Sequence, residues 1–248
     1  TDGAPIGDEM LERTMRQLRA RGPNGETIVV ESGAALGLTA LDTKETVPTA
    51  MGPVRHGPLV VTGHVRIDAR DDVGRALGVA PGELAALSDL ALLARAIERW
   101  GDDVPARVFG EYAAAAWDAR ARRLTVVRDA FGVRPAYVAH VGGMAIASNM
   151  LDAVRVQPEV SERLDDEAIL EFLLFDWIVG PGRTPFIDVR LAPPGGSWIV
   201  SPMGATSRVA WTLRAPEPDR KTPWREQGLR WRDALDVATA DRVRGASA

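Results

Sequence analysis

Few side chains in this sequence have the types and spacing that catalysis or metal binding requires. The chain contains no cysteine, which excludes disulfides and thiolate metal ligands within it. Its three histidines, His56, His64 and His140, are scattered and lack the i,i+4 spacing of a helical metal-binding pair, which argues against a zinc site. The sequence therefore predicts no metal site in this chain.

Two residues are candidates for a catalytic role, and neither is supported by its context. Thr1 could act as a nucleophile with its own α-amine as the base, but such a residue must open a central strand. The segment TDGAPIGDE instead has the composition of a turn that leads into a helix. Asp129 has no second titrating group beside it in its motif. We therefore assign no catalytic residue.

The remaining charged candidates are interpreted as structural. His64 and Arg66 could form a binding site, but neither has an obvious partner at a fixed spacing, so a solvent-exposed pair is the favoured interpretation. Arg128, Asp129 and Arg134 follow one another closely in the sequence. We interpret them as structural residues and predict a buried or interfacial ion pair among them.

Composition is typical of a globular enzyme domain. Hydrophobic residues make up 46% and charged residues 26% of the 248 residues, which is enough for a sizeable core. The net charge of −4 gives no electrostatic reason to expect a nucleic acid or an anionic membrane as a partner. No apolar run approaches the roughly 18–20 residues that span a bilayer, and no signal peptide is visible. We expect a cytoplasmic protein.

Apolar periodicity predicts a mixture of helices and strands. Residues at helical spacing indicate helices near residues 10–18, 88–100, 165–175 and 224–243. Ser88 is placed as the N-cap of the second of these helices, and three acidic residues begin the third. Short strands are expected at residues 27–30 and 59–61, and strands dominate residues 107–148.

The last helix follows a segment that has the composition of a linker. Residues 215–222 are rich in proline and charge, and after them Trp224, Gly228, Trp231, Leu235 and Ala238 form one helical stripe. Tryptophans at this spacing are more often buried in a core than used to bind a ligand. The stripe is too apolar to face water alone, so we expect this helix to pack against a domain that the chain does not contain.

The most informative stretch is residues 110–135, GEYAAAAWDARARRLTVVRDAFGVRP. Two apolar segments flank a polar turn at residues 118–123, and Gly132 and Pro135 mark the exit, which predicts a β-hairpin. The string resembles the G-x-F-A-F-A-x-W-D…R-D-x-x-G-x-[KR]-P-L-Y signature of the glutaminase domain of asparagine synthetase B and its relatives, the class II glutamine amidotransferases.

The resemblance continues over nearly the whole chain in the same order. Residues 10–26 are similar to the first helix and R-x-R-G-P-D-G motif of that family, and residues 88–103 to its S-D helix. Residues 143–151, 164–174 and 184–195 resemble the later A-S-E, L-D and P-P-G segments. The resemblance implies an α+β fold of the Ntn hydrolase type, a four-layer αββα sandwich of two antiparallel sheets with helices outside.

The same resemblance implies a degenerate glutamine pocket. In the family, an arginine in L-G-x-x-R-L binds the substrate carboxylate, an N-G-E segment supplies the oxyanion hole and holds the substrate, and the aspartate of an S-D pair contacts the amine. The corresponding residues here are, in that order, Ala40, then His64, Val65 and Arg66, then Ser88 and Asp89. Only the last pair is retained. Because losing one oxyanion donor typically costs about a hundred- to a thousandfold in rate, we expect no glutaminase activity.

The resemblance also implies a division of the chain into domains. Residues 1–213 are assigned to the glutaminase-like domain, in which Arg128, Asp129 and Arg134 shape the hairpin and the surface that faces a synthetase domain. Residues 214–248 are assigned to a linker and the first helix of that C-terminal synthetase domain. The family begins with a catalytic Cys-Gly strand and continues into an S-G-G-x-D-S loop, so both ends are expected to be incomplete. ATP and magnesium are expected in the synthetase domain, and no cofactor in this chain.

Relatives with an inactive glutaminase domain activate a carboxylate as its acyl-adenylate and capture it with an amine already present in the substrate. Lasso peptide cyclases and β-lactam synthetases are of this kind. We expect the intact protein to be an ATP-dependent, AMP-forming ligase, and a lasso peptide cyclase is the favoured type. Its expected partners are a precursor peptide and leader-processing proteins. Two alternatives stay open: an asparagine synthetase-related ligase that uses free ammonia or another small amine, and a non-catalytic scaffold.

Overall fold

The computed structural model describes residues 6–42 and 47–243, so Thr1 lies outside the described residues. Seven α-helices are found in this part: α1 (Asp8–Leu18), α2 (Arg70–Leu77), α3 (Pro81–Ala86), α4 (Asp89–Trp100), α5 (Leu151–Arg155), α6 (Asp166–Phe175) and α7 (Trp224–Arg242). Short 3-10 helices lie at Arg19–Arg21 and Gly101–Ala106. None of the described helices combines the length and the apolar character that crossing a membrane requires.

Eleven strands occur in the same part of the chain. They are β1 (Gly25–Glu31), β2 (Ala34–Ala40), β3 (Val54–His56), β4 (Leu59–Ile67), β5 (Gly110–Asp118), β6 (Arg123–Arg128), β7 (Tyr137–Val141), β8 (Met144–Ser148), β9 (Val189–Leu191), β10 (Gly196–Ser201) and β11 (Gly204–Val209). All of their ladders are antiparallel.

The strands and helices form the four layers that were predicted. A six-stranded sheet has the order β11-β10-β6-β5-β4-β3, and α4 packs on its outer face through contacts with β3 and β4. The second layer contains β1, β2, β7, β8 and β9, and α1 and α5 cover it from the other side. The αββα sandwich is therefore confirmed.

The second layer differs from the prediction in one respect. Its described strands form two separate sheets, the hairpin β1–β2 and a three-stranded sheet of order β8-β7-β9. No ladder joins β2 to β8 within residues 6–42 and 47–243. An isolated two-stranded hairpin is only marginally stable in water, so β1–β2 depends on packing against the six-stranded sheet. Leu36 of β2 provides that packing, in a buried cluster with Val60 and Trp117.

The alanine run of β5 explains how the two sheet layers approach each other. Side chains alternate between the faces of a strand, so Ala113 and Ala115 point towards β7 and β8, and Ala114 and Ala116 point towards α4. Both sets are packed in hydrophobic clusters. The predicted hairpin is confirmed as β5–β6, with Asp118 paired to Arg123 at its end.

Strand β4 corrects one prediction. The sequence predicted a strand at residues 59–61, but β4 continues to Ile67 because it pairs with β5 along its whole length. Val61 and Ile67 face α4, and the even-numbered residues between them face the second layer. His64 and Arg66 therefore lie within a strand and on the same face of it.

The predicted helix starts agree with the structure. The Ser88 hydroxyl accepts a hydrogen bond from the backbone N–H of Ala91, and the Asp165 carboxylate accepts one from that of Ala168, each at the N-terminus of its helix. In α7, by contrast, no residue is buried, and Trp224 and Trp231 are 85% and 69% exposed. The stripe on this helix is not part of the core formed by the described residues.

Candidate functional site

A groove of about 930 Å³ lies between the two parts of the second layer. Residues of β2 line one side and residues of β8 line the other, and α1 contributes Met10, Thr14 and Met15. Strands β4 and β5 of the six-stranded sheet form the floor. Each of the flanking strands is an edge strand among the described ones, so the groove presents two strand edges to whatever occupies it.

This groove contains most of the predicted glutamine pocket. Ala40, His64, Val65, Arg66 and Asp89 line it, whereas Ser88 is not among its lining residues and serves as the N-cap of α4. The structure therefore brings together five of the six residues that the resemblance identified. The contacts of these residues are described next.

Ala40 lies at the end of β2 and is 2% exposed, within the apolar cluster that includes α4. A methyl group cannot pair with a carboxylate, which a guanidinium recognises through two parallel hydrogen bonds. Val65 is packed against the same cluster as Ala40. Neither residue offers a side-chain hydrogen-bond donor to a substrate.

Asp89, the retained acid, is engaged by the protein itself. Its Oδ2 accepts a hydrogen bond from the backbone N–H of Ile67 at 3.0 Å, and its Oδ1 accepts one from the guanidinium of Arg70. The side chains of Asp89 and Arg70 are only 8% and 12% exposed, respectively. Arg70 also donates to the carbonyls of Leu84 and Leu87, so the pair fastens α2 and α3 to the start of α4.

Arg70 was not identified from the sequence as a residue of the pocket. A signal was available, because Arg70 follows β4 directly in the segment D-A-R-D-D and so begins a helix next to the site. Its partner, however, is 19 residues away in sequence. Only the packing of α2 against α4 brings the guanidinium to the carboxylate.

The polar end of the groove is cationic. Arg21, His64 and Arg134 line it, and Arg21 reaches the carbonyl of Asn149 at 3.5 Å. His64 is exposed to the groove, yet the surrounding protein partly removes it from water. This desolvation, followed by the positive charges of Arg134 and Arg21, lowers the pKa of His64, while Glu111 acts in the opposite direction.

A network of ion pairs connects this end of the groove to α7. Glu111 of β5 pairs with Arg134 at 2.9 Å and with Arg242 of α7, which also pairs with Asp68 at 3.3 Å. The Arg66 guanidinium donates to the backbone carbonyl of Arg242. The hydrogen bond from Arg242 is the main reason why the pKa of Glu111 lies below its usual value. Arg66 is thus half-buried and in contact with α7, and only His64 fits the predicted exposed pair.

The predicted ion pair among Arg128, Asp129 and Arg134 takes a different form. Asp129 is fully buried and accepts hydrogen bonds from four backbone N–H groups, those of Tyr112, Phe131, Val133 and Arg134. Arg128 donates to three backbone carbonyls, those of Gly132, Arg134 and Ala192. Each charged group is satisfied by the backbone of the loop between β6 and β7 and its surroundings, and the salt bridge of Arg134 is with Glu111.

Several residues that line the groove have a buried polar atom with no hydrogen-bond partner among the described residues. Nε1 of Trp117 and Oε1 of Gln157 are two of these atoms. Gln157 is 2% exposed, and its Nε2 donates to the carbonyl of Met10 and the hydroxyl of Thr14. Buried polar groups of native proteins usually have a partner, so these two atoms are unusual features next to the groove. Neither residue was identified from the sequence.

The described residues give the groove the features of a binding surface. Within residues 6–42 and 47–243, no cluster of histidine, aspartate or glutamate side chains could hold a metal ion. Thr1, the candidate nucleophile, lies outside the described residues. The groove therefore combines apolar walls, two strand edges and a cationic end.

A family model described as "Glutamine amidotransferase domain" matches residues 3–211. The chain is also similar to putative asparagine synthetases [glutamine-hydrolyzing] of Mycobacterium bovis and Mycobacterium tuberculosis. Each is 27% identical to it over 190 residues, which cover 69% of this chain and 28% of the relative. The chain thus spans less than a third of the length of these curated relatives.

Two solved structures share the fold. The glutamine phosphoribosylpyrophosphate amidotransferase of B. subtilis, in complex with ADP and GMP, superposes with a TM-score of 0.51 at 16% identity. A structure described as the allosteric regulatory enzyme of purine biosynthesis gives a TM-score of 0.50 at 14% identity. Both matches cover 83% of this chain and 47% of the other. At these identities the similarity concerns the fold alone.

Proposed function

The chain belongs to the glutamine amidotransferase domain family, and we propose on this premise that it is the non-hydrolysing, amino-terminal part of an ATP-dependent amide ligase. Its similarity to asparagine synthetases indicates the type of ligase. We propose further that the intact protein closes an amide bond within a peptide, as a lasso peptide cyclase does. ATP and magnesium would bind in a synthetase half outside this chain.

The state of Asp89 is the observation that best supports a loss of glutamine hydrolysis. This carboxylate is the one acidic contact of the pocket that the chain retains, and both of its oxygens accept hydrogen bonds from Arg70 and Ile67. Displacing them to bind a substrate amine would leave a buried guanidinium unpaired, which is strongly unfavourable. With Ala40 in place of the arginine, the groove lacks both the carboxylate-binding and the amine-binding group.

The groove retains a shape that suits an additional strand. Strands β2 and β8 face it with their edges, and Ile6, close to the start of α1, lines it. We propose that an extended segment preceding α1 lies there in the intact polypeptide, at the position that the resemblance assigns to the amino-terminal strand. Its backbone would complete the second sheet. Even with a nucleophile on that strand, the pocket would lack the groups that hold glutamine.

A ligase without glutaminase must take its amine from elsewhere. In the proposed reaction, a peptide carboxylate attacks the α-phosphate of ATP, which gives the acyl-adenylate and releases pyrophosphate. An amine of the same peptide then attacks the acyl carbon, the amide forms and AMP leaves. Holding the acyl group and the amine on one chain replaces several kcal/mol of the cost of a bimolecular encounter.

The first test is for glutamine hydrolysis by the full-length protein. We expect no release of glutamate above the rate without enzyme, because Ala40, Val65 and Arg66 replace groups that hold the substrate. A coupled glutamate assay measures this, with a known glutaminase added afterwards to prove that the assay responds. Glutamate release at about one turnover per second, an ordinary enzyme rate, would contradict the proposal.

The second test is for the ligase reaction itself. Full-length protein is incubated with ATP, magnesium and a peptide encoded next to its gene, and both the peptide mass and AMP are followed. Loss of one water per peptide, with AMP formed in step, supports the proposal. Formation of asparagine from aspartate and ammonia with the peptide unchanged would favour the ammonia-dependent ligase. Absence of AMP with either set of substrates would favour the alternative that the protein is a non-catalytic scaffold.

A further inference from the structure

Helix α6 and the loop after it expose an unusual number of large apolar side chains. Ala168 is the only buried residue of this helix. Side chains that are 48–74% exposed form what we name the α6 face: Leu170, Phe172, Leu173, Leu174, Phe175, Trp177 and Val179. Three of them, at positions 170, 173 and 174, have the spacing of a single helical stripe, and Trp177 lies in the loop after the helix.

The α6 face belongs to a well-anchored segment. Arg183, in the loop after the helix, pairs with Glu171 at 3.2 Å, with Glu167, and with Asp165 at 3.8 Å. The backbone N–H of Gly180 donates to Glu171 at 2.8 Å. These contacts hold the first half of the helix against the loop that follows it, so the apolar side chains are presented on an anchored element.

A helix with so many exposed apolar side chains normally has that surface covered in a complete protein. Each aromatic side chain buries roughly 150–250 Å² when it is covered, and the α6 face contains three that are more than half exposed. Together with the leucines, this area approaches the roughly 800 Å² that each partner contributes to a stable interface. Patches of this size on soluble proteins usually mark an interaction surface.

We infer that the α6 face is covered by the part of the same polypeptide that follows α7, namely the synthetase half. This inference rests on the proposed function. The curated relatives are more than three times as long as the segment they share with this chain. The family model ends at residue 211, and the exposed tryptophans of α7 lie beyond it. A domain joined through residues 212–223 is present at a high effective concentration, so an apolar face would be covered permanently.

The charges around the face disfavour a second copy of this chain as the occupant. Helix α6, DEAILEFLLF, contains three acidic residues and no basic residue, and Arg183 pairs with two of the acids, Glu167 and Glu171. The exposed Asp166 and Asp176 add a negative charge at each end of the helix. A two-fold contact would bring the same patch of both copies together, and therefore its acidic ends close to each other. A different surface can offer basic groups at these positions instead.

The inference can be tested by the reactivity of single cysteines in the full-length protein. Leu173→Cys places a thiol at the centre of the α6 face, and Met203→Cys places one in the β10–β11 turn, where the side chain is 98% exposed. Because residues 1–248 contain no cysteine, peptide mapping identifies the labelled thiol without ambiguity in this region. Leu170→Cys is a second probe of the face if the first variant does not fold.

We expect Cys labelling at position 173 to be slower than at position 203 by roughly tenfold or more in the native protein, at all protein concentrations, and equal to it in denaturant. Equal native rates would show that the face is open and would overturn the inference. Protection that disappears on dilution would identify a second copy as the occupant and would also overturn it. Labelling requires no catalysis, so protection in a protein that forms no AMP would reject the proposed reaction and keep the interface.

Discussion

Asp89 keeps its position in the family motif, and its side chain takes part in the packing of the protein itself. Its carboxylate is buried, and Arg70 and the backbone of Ile67 occupy both oxygens. A buried ion pair contributes little net stability when compared with apolar residues, yet removal of one partner is costly because the other charge stays buried. Asp89 has therefore become a residue that fastens α2, α3 and α4 together.

This role leads to a prediction for the Arg70–Asp89 pair. We expect Asp89→Ala to lower the free energy of unfolding by roughly 3–5 kcal/mol, because it leaves the Arg70 guanidinium buried without its partner. Arg70→Met combined with Asp89→Ala should recover a substantial part of that loss. Urea unfolding of the two single variants and the double variant measures the coupling between them. Additive effects would show that the two side chains do not act as a pair.

His64 predicts a dependence of stability on pH. Desolvation and the charges of Arg134 and Arg21 lower its pKa in the folded protein, so the unfolded chain binds the proton more tightly. Stability should therefore decrease as the pH falls below about 6.5, the value of an unperturbed histidine, down to the lowered folded value. Above that range the contribution should be constant.

The variant His64→Gln should remove this part of the pH dependence. Urea midpoints measured from about pH 7.5 to pH 5 would then fall less steeply for the variant than for the native protein. His140→Gln, at an exposed histidine of β7, is the matched control for the general effect of losing an imidazole. Identical slopes for the native protein and His64→Gln would refute the assignment.

At the scale of elements, the loop between β6 and β7 is organised around one buried carboxylate. Asp129 accepts hydrogen bonds from Tyr112, Phe131, Val133 and Arg134, which connects the loop to the start of β5. Arg128 acts on the same loop from the other side, by donating to the carbonyls of Gly132 and Arg134. Backbone donors and acceptors are thus satisfied by two neighbouring residues of opposite charge.

We expect Asp129→Asn to be strongly destabilising although it preserves the shape of the side chain. An amide has one acceptor oxygen in place of two, so at least one buried N–H group is left without a partner, at a cost of roughly 1–3 kcal/mol for each such group. Thermal or urea unfolding measures the loss. Asp152→Asn, at an exposed position in α5, is the control and should change stability by less than about 0.5 kcal/mol.

At the scale of the whole molecule, α7 is joined to the described domain mainly through its last turn. Arg242 pairs with Asp68 and Glu111, and Arg66 donates to the carbonyl of Arg242. Glu111 pairs with Arg134 as well, so the cationic end of the groove and the terminal helix share one carboxylate. A change in the groove could reach the proposed synthetase half through this connection.

The connection predicts a local effect of Glu111→Gln in the full-length protein. Because the pairs are partly exposed, global stability should change by less than about 1 kcal/mol. Hydrogen exchange in the last turns of α7 should nevertheless become faster, since the helix end loses its main charged contact. Asp103→Asn, which removes the exposed pair with Arg208, is the control. Unchanged exchange in α7 would show that Glu111 does not restrain it.

The lowered pKa of Glu111 gives the same connection a pH dependence. A carboxylate with a depressed folded pKa contributes stability above its unfolded value, and this contribution is lost as the pH falls through the folded value. Acid conditions should thus reproduce the effect of Glu111→Gln. At neutral pH the network is complete, because Glu111 is ionised and Arg242 is charged.

The sequence by itself determined the elements whose signals are local. The β5–β6 hairpin, the N-cap at Ser88, the acidic start of α6 and the presence of the last helix depend on periodicity, turn residues and side chains close in sequence, so they were predicted correctly. The ordered motifs also predicted the four-layer sandwich, and the positions of Ala40, Val65 and Arg66 predicted that the pocket had changed. The assignment of residues 1–213 and 214–248 to two domains stays a prediction.

Tertiary structure alone decided which groups meet. Arg70 reaches Asp89 because α2 packs on α4. Arg66 reaches Arg242 because the end of α7 lies against β4. Asp129 accepts hydrogen bonds from backbone N–H groups, and not from Arg128, because the loop between β6 and β7 folds around its carboxylate. The length of β4 followed from its ladder with β5, and the division of the second layer followed from the pairing of its strands. Contacts between residues far apart in sequence depend on packing and burial, which periodicity and spacing do not encode.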